Sequence, residues 1–128
     1  MTYELYCHES FSAQIEDFAR KFPQDKDALL TALTKSRDDP NGDGSEPLTG
    51  IETKSLQGKL RRLHVGGRRG QRYIYLVHPG LELVMAVYVS RELKANFEYD
   101  LAEIEAIANE IMADWLADRK EKFKQARR

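Results

Sequence analysis

Apolar residues along the chain recur with two different periods, and the changes of period mark the elements. Residues 2–7 (Thr-Tyr-Glu-Leu-Tyr-Cys) alternate and carry aromatics, the pattern of a short strand. Phe11, Ile15, Phe18 and Phe22 then repeat at helical spacing, with Ser10 as the cap and Pro23 as the stop. Asp25 opens a second helix, whose Leu29, Leu30 and Leu33 face the core and which fades near Arg37. The two helices make a hairpin. Residues 38–50 are a loop by composition. Residues 59–66, 71–77 and 82–89 follow as three strands. The first pair is joined by the basic turn Gly66 to Gly70. The second is joined by His78-Pro79-Gly80, where proline presets φ and glycine takes the positive-φ position. Turns this short demand antiparallel neighbours, and the third strand, apolar on both faces, belongs in the centre of its sheet. From about Glu98 a long helix buries Leu101, Ile104, Ala108, Ile111 and Trp115, with Asp and Glu on its other face. Residues 120–128 are expected to fray. The predicted fold is α+β: an N-terminal strand, a helical hairpin, a three-stranded antiparallel sheet and a long C-terminal helix. One domain spans residues 1–118, and 119–128 form a basic tail.

Composition narrows the class. The chain has 128 residues and is 41% apolar, enough for one domain with its own core. The single cysteine, Cys7, excludes an internal disulfide and a multi-cysteine zinc site, and points to a reducing, cytoplasmic compartment. Neither a signal peptide nor a membrane span is expected. Within the loop, Asp39, Asn41, Asp43 and Gly44 match the first half of a calcium loop, but the twelfth position is Gly50 where a bidentate Glu is needed. No metal or other cofactor is expected.

Charge changes the picture more. The net charge of −1 conceals segregated blocks. Residues 1–53 carry 11 acids and 5 bases. Residues 54–94 carry 9 bases (Lys54, Lys59, Arg61, Arg62, Arg68, Arg69, Arg72, Arg91, Lys94) against 2 acids. Residues 98–118 hold 7 acids and no base, and 119–128 hold 6 bases and 1 acid. The predicted sheet is therefore the basic part of the protein. On the first of its strands, parity places Arg61, Leu63 and Val65 on the core face and Arg62 and His64 on the other. On the next strand Tyr73, Tyr75 and Val77 share one side and Arg72, Ile74 and Leu76 the other, and parity alone leaves open which is core. Placed side by side, the strands can bring Arg72, and Arg91 just past the third, into one patch with Arg62 and His64. Arginine forks suit phosphate oxygens, and exposed Tyr73, Tyr75 or Tyr88 would stack a base. RNA supplies its own nucleophile, the 2′-hydroxyl, so cleavage needs a base, an acid and cations for the phosphate. His64 is the group in the patch that titrates near neutrality; His8 and His78 lie away from the arginines, and Cys7 is expected in the core.

The order strand, helical hairpin, three antiparallel strands, helix resembles the RelE/ParE toxin superfamily of type II toxin–antitoxin systems. The stretch Lys54-Ser-Leu-Gln-Gly58-Lys-Leu-Arg-Arg-Leu-His-Val-Gly66 looks like that family's Leu-x-Gly, then Leu, aromatic, basic, apolar, basic, Val, Gly. Gln71-Arg72-Tyr73-Ile74-Tyr75 resembles its Tyr-Arg-Val-Val-Tyr strand, and Val89-Ser90-Arg91-Glu92 the basic stretch after the last strand. The resemblance covers roughly residues 2–100 and implies a ribosome-dependent mRNA endoribonuclease neutralised by a cognate antitoxin. Carried over, Arg62, His64, Arg72 and Arg91 hold the catalytic basic positions. The late aromatic falls at Phe97 or Tyr99, of which only Tyr99 can exchange a proton. The other bases of the block (Lys54, Lys59, Arg61, Arg68, Arg69, Lys94) would contact RNA. The chain departs from the pattern at Arg61, which stands where the family has an aromatic. ParE-like relatives inhibit DNA gyrase on the same fold, and an inactive RelE-like binding protein is the further alternative.

Overall fold

Strand β4 (Arg72–His78) is buried at each position from Arg72 to Val77, which requires cover on both faces of its sheet. Helices α1 (Glu9–Lys21) and α2 (Lys26–Asp38) cover one face, and α3 (Leu101–Leu116) covers the other. This computed structural model describes residues 3–48, 58–65, 72–89 and 101–125. The remaining strands are β1 (Glu4–His8), β2 (Glu46–Pro47), β3 (Lys59–His64), β5 (Leu83–Val89) and β6 (Phe123–Gln125). The class is α+β, as the periodicities indicate.

The strands β3, β4 and β5 form the expected antiparallel meander, and β5 is central. The sheet itself is six-stranded and mixed, in the order β2-β3-β4-β5-β1-β6, not three-stranded. Strand β1 joins parallel to β5, β6 lies antiparallel to β1 at one edge, and β2 pairs with β3 at the other. Strands of two or three residues are too short to display a period, which is why β2 and β6 escape the pattern.

The C-terminal helix is not the last element, and the fraying expected beyond residue 119 is corrected as far as Gln125. Asp118 takes a left-handed conformation (φ 58°) just past α3. Its N–H bonds to the Trp115 carbonyl and that of Arg119 to the Asp114 carbonyl, both at 3.0 Å, the paired bonds of a Schellman turn. The chain then makes a 3₁₀ turn at Lys120–Lys122 and returns along β1, with His8 opposite Phe123 and Tyr6 opposite Gln125. Phe123 holds it there, its ring edge-on to Trp115 at 5.2 Å and to His8 at 5.1 Å.

Smaller corrections have local causes. Helix α1 begins at Glu9, and His8 rather than Ser10 caps it, its Nδ1 accepting the Ser10 N–H at 3.1 Å. The buried stripe of α2 runs Leu29, Ala32, Leu33, Ser36, which leaves Leu30 on the outer side, 45% exposed. After β4 the chain makes a 3₁₀ turn at Pro79–Leu81, with the His78 ring accepting the Leu81 N–H, and Glu82 takes the positive φ instead of Gly80.

One irregularity decides which side chains share a face. Ile74 pairs with Tyr88 but Tyr75 pairs with Ala86, so Val87 is an extra residue in β5, a β-bulge. The bulge's backbone is satisfied by Gln14 of α1, which donates to the Val87 carbonyl and accepts from the Val89 N–H, both at 2.9 Å. It reverses the parity of the strand's end. Val84, Ala86 and Val89 pack with α1 and α2, while Met85, Val87 and Tyr88 lie on the α3 side.

Candidate functional site

The pairing register places side chains in rows across the sheet. One row on the α3 side runs Glu46, Arg62, Ile74, Tyr88 across β2, β3, β4 and β5. In the neighbouring row His64 pairs with Arg72. Arg62, His64 and Arg72 therefore share one face: strand parity predicts this for Arg62 and His64, and the pairing register adds Arg72, whose side parity alone leaves open. Their environments differ. His64 is exposed at the end of β3, where a cleft of about 480 Å³ also runs between that strand and Thr31 and Lys35 of α2. Arg62 keeps 27% of its side chain exposed. Arg72 is only 2% exposed, so its charge acts mainly through its field.

That field is visible in the titrating groups. Desolvation, then the positive charges of Arg72 and Arg62, hold the His64 imidazole below its ordinary value, against an upward pull from Glu46. His64 is then neutral near pH 7, the form a proton acceptor requires. The Glu46 carboxyl is lowered by its hydrogen bond and ion pair with Arg62, whose Nη2 donates to Oε2 at 2.8 Å. Composition places Glu46 within the 38–50 loop, whereas it stands in the short strand β2. A two-residue strand containing a proline offers no sequence signal that could have brought it to this face.

Other expected site residues lie elsewhere. Lys59 and Arg61 alternate with Arg62 and belong to the α1–α2 side, opposite Val77 and Tyr75. Arg61 is used structurally: Nε donates to Ser45 Oγ at 2.6 Å and Nη2 to the Ser45 carbonyl at 3.0 Å. Tyr73 and Tyr75, considered for base stacking, are fully buried on that same side. The Tyr73 hydroxyl meets Ser36 Oγ at 3.0 Å, and that of Tyr75 donates to the Pro40 carbonyl at 2.7 Å. Tyr88 alone of the three is partly exposed and on the basic face, through the bulge. Lys54, Arg68, Arg69, Arg91, Lys94, Phe97 and Tyr99 lie outside the described residues. In the half-matched calcium segment, the Lys35 ammonium donates to the Asp43 carbonyl, a cation already in place.

A second polar cluster was missed. His8 is 1% exposed, and its Nε2 lies 2.7 Å from Asp114 Oδ2, while Ser10 Oγ stands 2.9 Å from Nδ1. Lys122 and Arg119 approach the same carboxylate at 3.7 and 3.6 Å. Asp114 was assigned to the acidic face of its helix, but it follows Ile111 by three residues and so continues the apolar stripe. The serine, histidine and carboxylate have the spacing of a nucleophilic triad, and His8, Glu110 and Asp114 could converge on a metal ion. The tautomer speaks against both. Nδ1 accepts the Ser10 N–H, so the proton sits on Nε2 and is donated to Asp114. A metal on Nε2 would have to displace that proton, and the lone pair that would activate Ser10 is already engaged by its own amide. The cluster ties β1, α3 and the C-terminal segment together.

No protein-family model matches the chain, and no curated protein or solved structure is significantly similar to it. Among the described residues no helix is long and apolar enough to cross a membrane. Fold and face together define an α+β protein with a mixed sheet, helices on both sides and a compact cationic corner around one neutral histidine.

Proposed function

We propose that this protein is a RelE-like toxin that binds RNA on the Arg62–His64–Arg72 face and cleaves mRNA on the ribosome, in the cytoplasm, under the control of a cognate antitoxin. The observation that carries the reading is the pairing of His64 with Arg72, two residues along β3 from Arg62 on the same face. A neutral imidazole flanked by guanidinium groups is suited to cleavage by the 2′-hydroxyl. His64 removes the hydroxyl proton, the 2′-oxygen attacks phosphorus, and the 5′-oxygen leaves as it gains a proton. Arg62 neutralises the phosphate as charge builds. Tyr99, on the family resemblance, donates the proton to the leaving oxygen. The strand–hairpin–meander–helix order supports the same reading at the level of fold.

A second reading has an observation of its own. Arg72 is buried and Arg62 is held by Glu46, which favours a RelE-like scaffold that binds without cutting. Induction in cells with growth, mRNA ends and plasmid supercoiling scored together separates the readings. Growth arrest with new mRNA ends that vanish in His64→Gln supports the nuclease. Arrest with intact mRNA and lost supercoiling supports a gyrase-directed toxin. Normal growth with intact mRNA leaves the binding scaffold.

A further inference from the structure

We infer that Glu46 is an intramolecular competitor for the ligand's phosphate: its carboxylate occupies the Arg62 guanidinium that an RNA phosphate must take. The inference rests on the reading of this face as an RNA-binding surface. Carboxylate and phosphate use the same planar fork in the same way, so the two cannot both hold Arg62 fully. The register puts Glu46 directly opposite Arg62, on the side of the sheet that carries His64 and Arg72, and the Oε2–Nη2 distance is 2.8 Å.

The backbone is fastened on both sides of Glu46, before it from the opposite face and after it by a ladder bond within the sheet. Arg61 grips Ser45 through two bonds, the Tyr75 hydroxyl holds Pro40 and Ser45, and the Leu48 N–H bonds to the Leu60 carbonyl at 3.0 Å. The alternation of Arg61 and Arg62 thus divides the labour. One arginine anchors the acidic segment, and the other receives its carboxylate. Because the strand stays in place, the carboxylate remains near Arg62 at high effective concentration. Its side chain is 56% exposed, so it can swing away without unfolding anything. A ligand that meets several cations at once has the means to displace it.

The experiment measures binding of a fluorescein-labelled single-stranded oligoribonucleotide by anisotropy across a salt series, for the wild type, Glu46→Gln, Arg62→Ala and the double variant. Glu46→Gln is expected to bind roughly two- to five-fold tighter, the range of an exposed ion pair. Its affinity should also fall more steeply with salt, by up to about one unit of slope, because Arg62 no longer starts neutralised. In the Arg62→Ala background the same change should bring a clearly smaller gain, limited to the loss of the carboxylate's own repulsion of phosphate, and an equal gain in both backgrounds overturns the competitor. Unchanged or weaker binding by Glu46→Gln, with Arg62→Ala still weakened, overturns the competitor and leaves the RNA face standing. Arg62→Ala binding like the wild type overturns the RNA face and the competitor with it. Matching circular dichroism and urea midpoints establish that the variants are folded.

Discussion

Replacing Phe123 by alanine tests whether the C-terminal segment belongs to the sheet or is a solvated tail. The ring is partly buried, against Trp115 and His8. Complete burial of a phenylalanine side chain contributes about 1.5–3 kcal/mol, of which partial burial realises about half. Each of the two edge-to-face ring contacts adds about 0.5–1.5 kcal/mol. Phe123→Ala should therefore destabilise the fold by about 2–4 kcal/mol. At a urea m-value of about 2 kcal/mol/M, the unfolding midpoint falls by about 1–2 M. The matched control is Lys124→Ala, an exposed neighbour in the same strand, expected to change stability by less than about 0.5 kcal/mol. The assay is urea unfolding followed by far-ultraviolet circular dichroism and by fluorescence of Trp115, the single tryptophan, which touches Phe123. If the two variants share the wild-type midpoint, β6 contributes nothing to the fold and the packing argument for it is wrong.

Three further outcomes follow from buried polar groups. The Asp114 carboxyl is lowered, first by its hydrogen bond from His8 and then by Lys122, His8 and Arg119, against desolvation. A lowered carboxyl contributes stability above its unfolded value, lost as pH falls through the folded one. Asp114→Asn should therefore flatten the acid limb of a thermal-stability profile, and an unchanged limb would remove the ionic role. Tyr75→Phe deletes the hydroxyl that holds Pro40 and Ser45; it should cost about 1–2 kcal/mol and increase proteolytic cleavage near residue 45, whereas native-like resistance would mean the loop is held by other contacts. Burial pushes the Cys7 thiol up to about 11, so iodoacetamide should label it slowly at pH 8 in the native protein and rapidly in urea; equal rates would contradict its placement.

The sequence was most informative where elements were long enough to display a period. The α1 stripe, the meander and the opposition of Arg62 to Arg61 all follow from spacing of 3.6 or 2. What it concealed depends on contacts between distant segments. Strands β2 and β6 exist through their partners, since two or three residues have no pattern of their own. Glu46 reaches the basic face through such a strand. Tyr88 reaches it because one inserted residue in β5 reverses parity, and a continuous run of apolar residues does not reveal where a bulge will fall. Asp114 was legible in principle, as an acid standing on an apolar stripe. Its partner His8 is separated from it by 106 positions, and nothing local pairs the two.

The buried position of Arg72 assigns different work to the two arginines, and the titration of His64 can establish it. Arg62 can meet a ligand directly, while Arg72, 2% exposed and opposite His64 in the register, acts on the imidazole through space. Among the charged neighbours Arg72 lowers His64 most, Glu46 raises it, and Arg62 lowers it less. Three substitutions then carry signs that differ. Arg72→Met should move the imidazole titration upward, Arg62→Ala should move it upward by less, and Glu46→Gln should move it downward. The measurement is the chemical shift of the His64 Cε1 proton against pH, with His64→Gln identifying the resonance. A structural disturbance has no reason to reproduce that order of signs. If all three variants shift His64 the same way, or none does, desolvation alone sets its protonation and the arginines are not tuning a base.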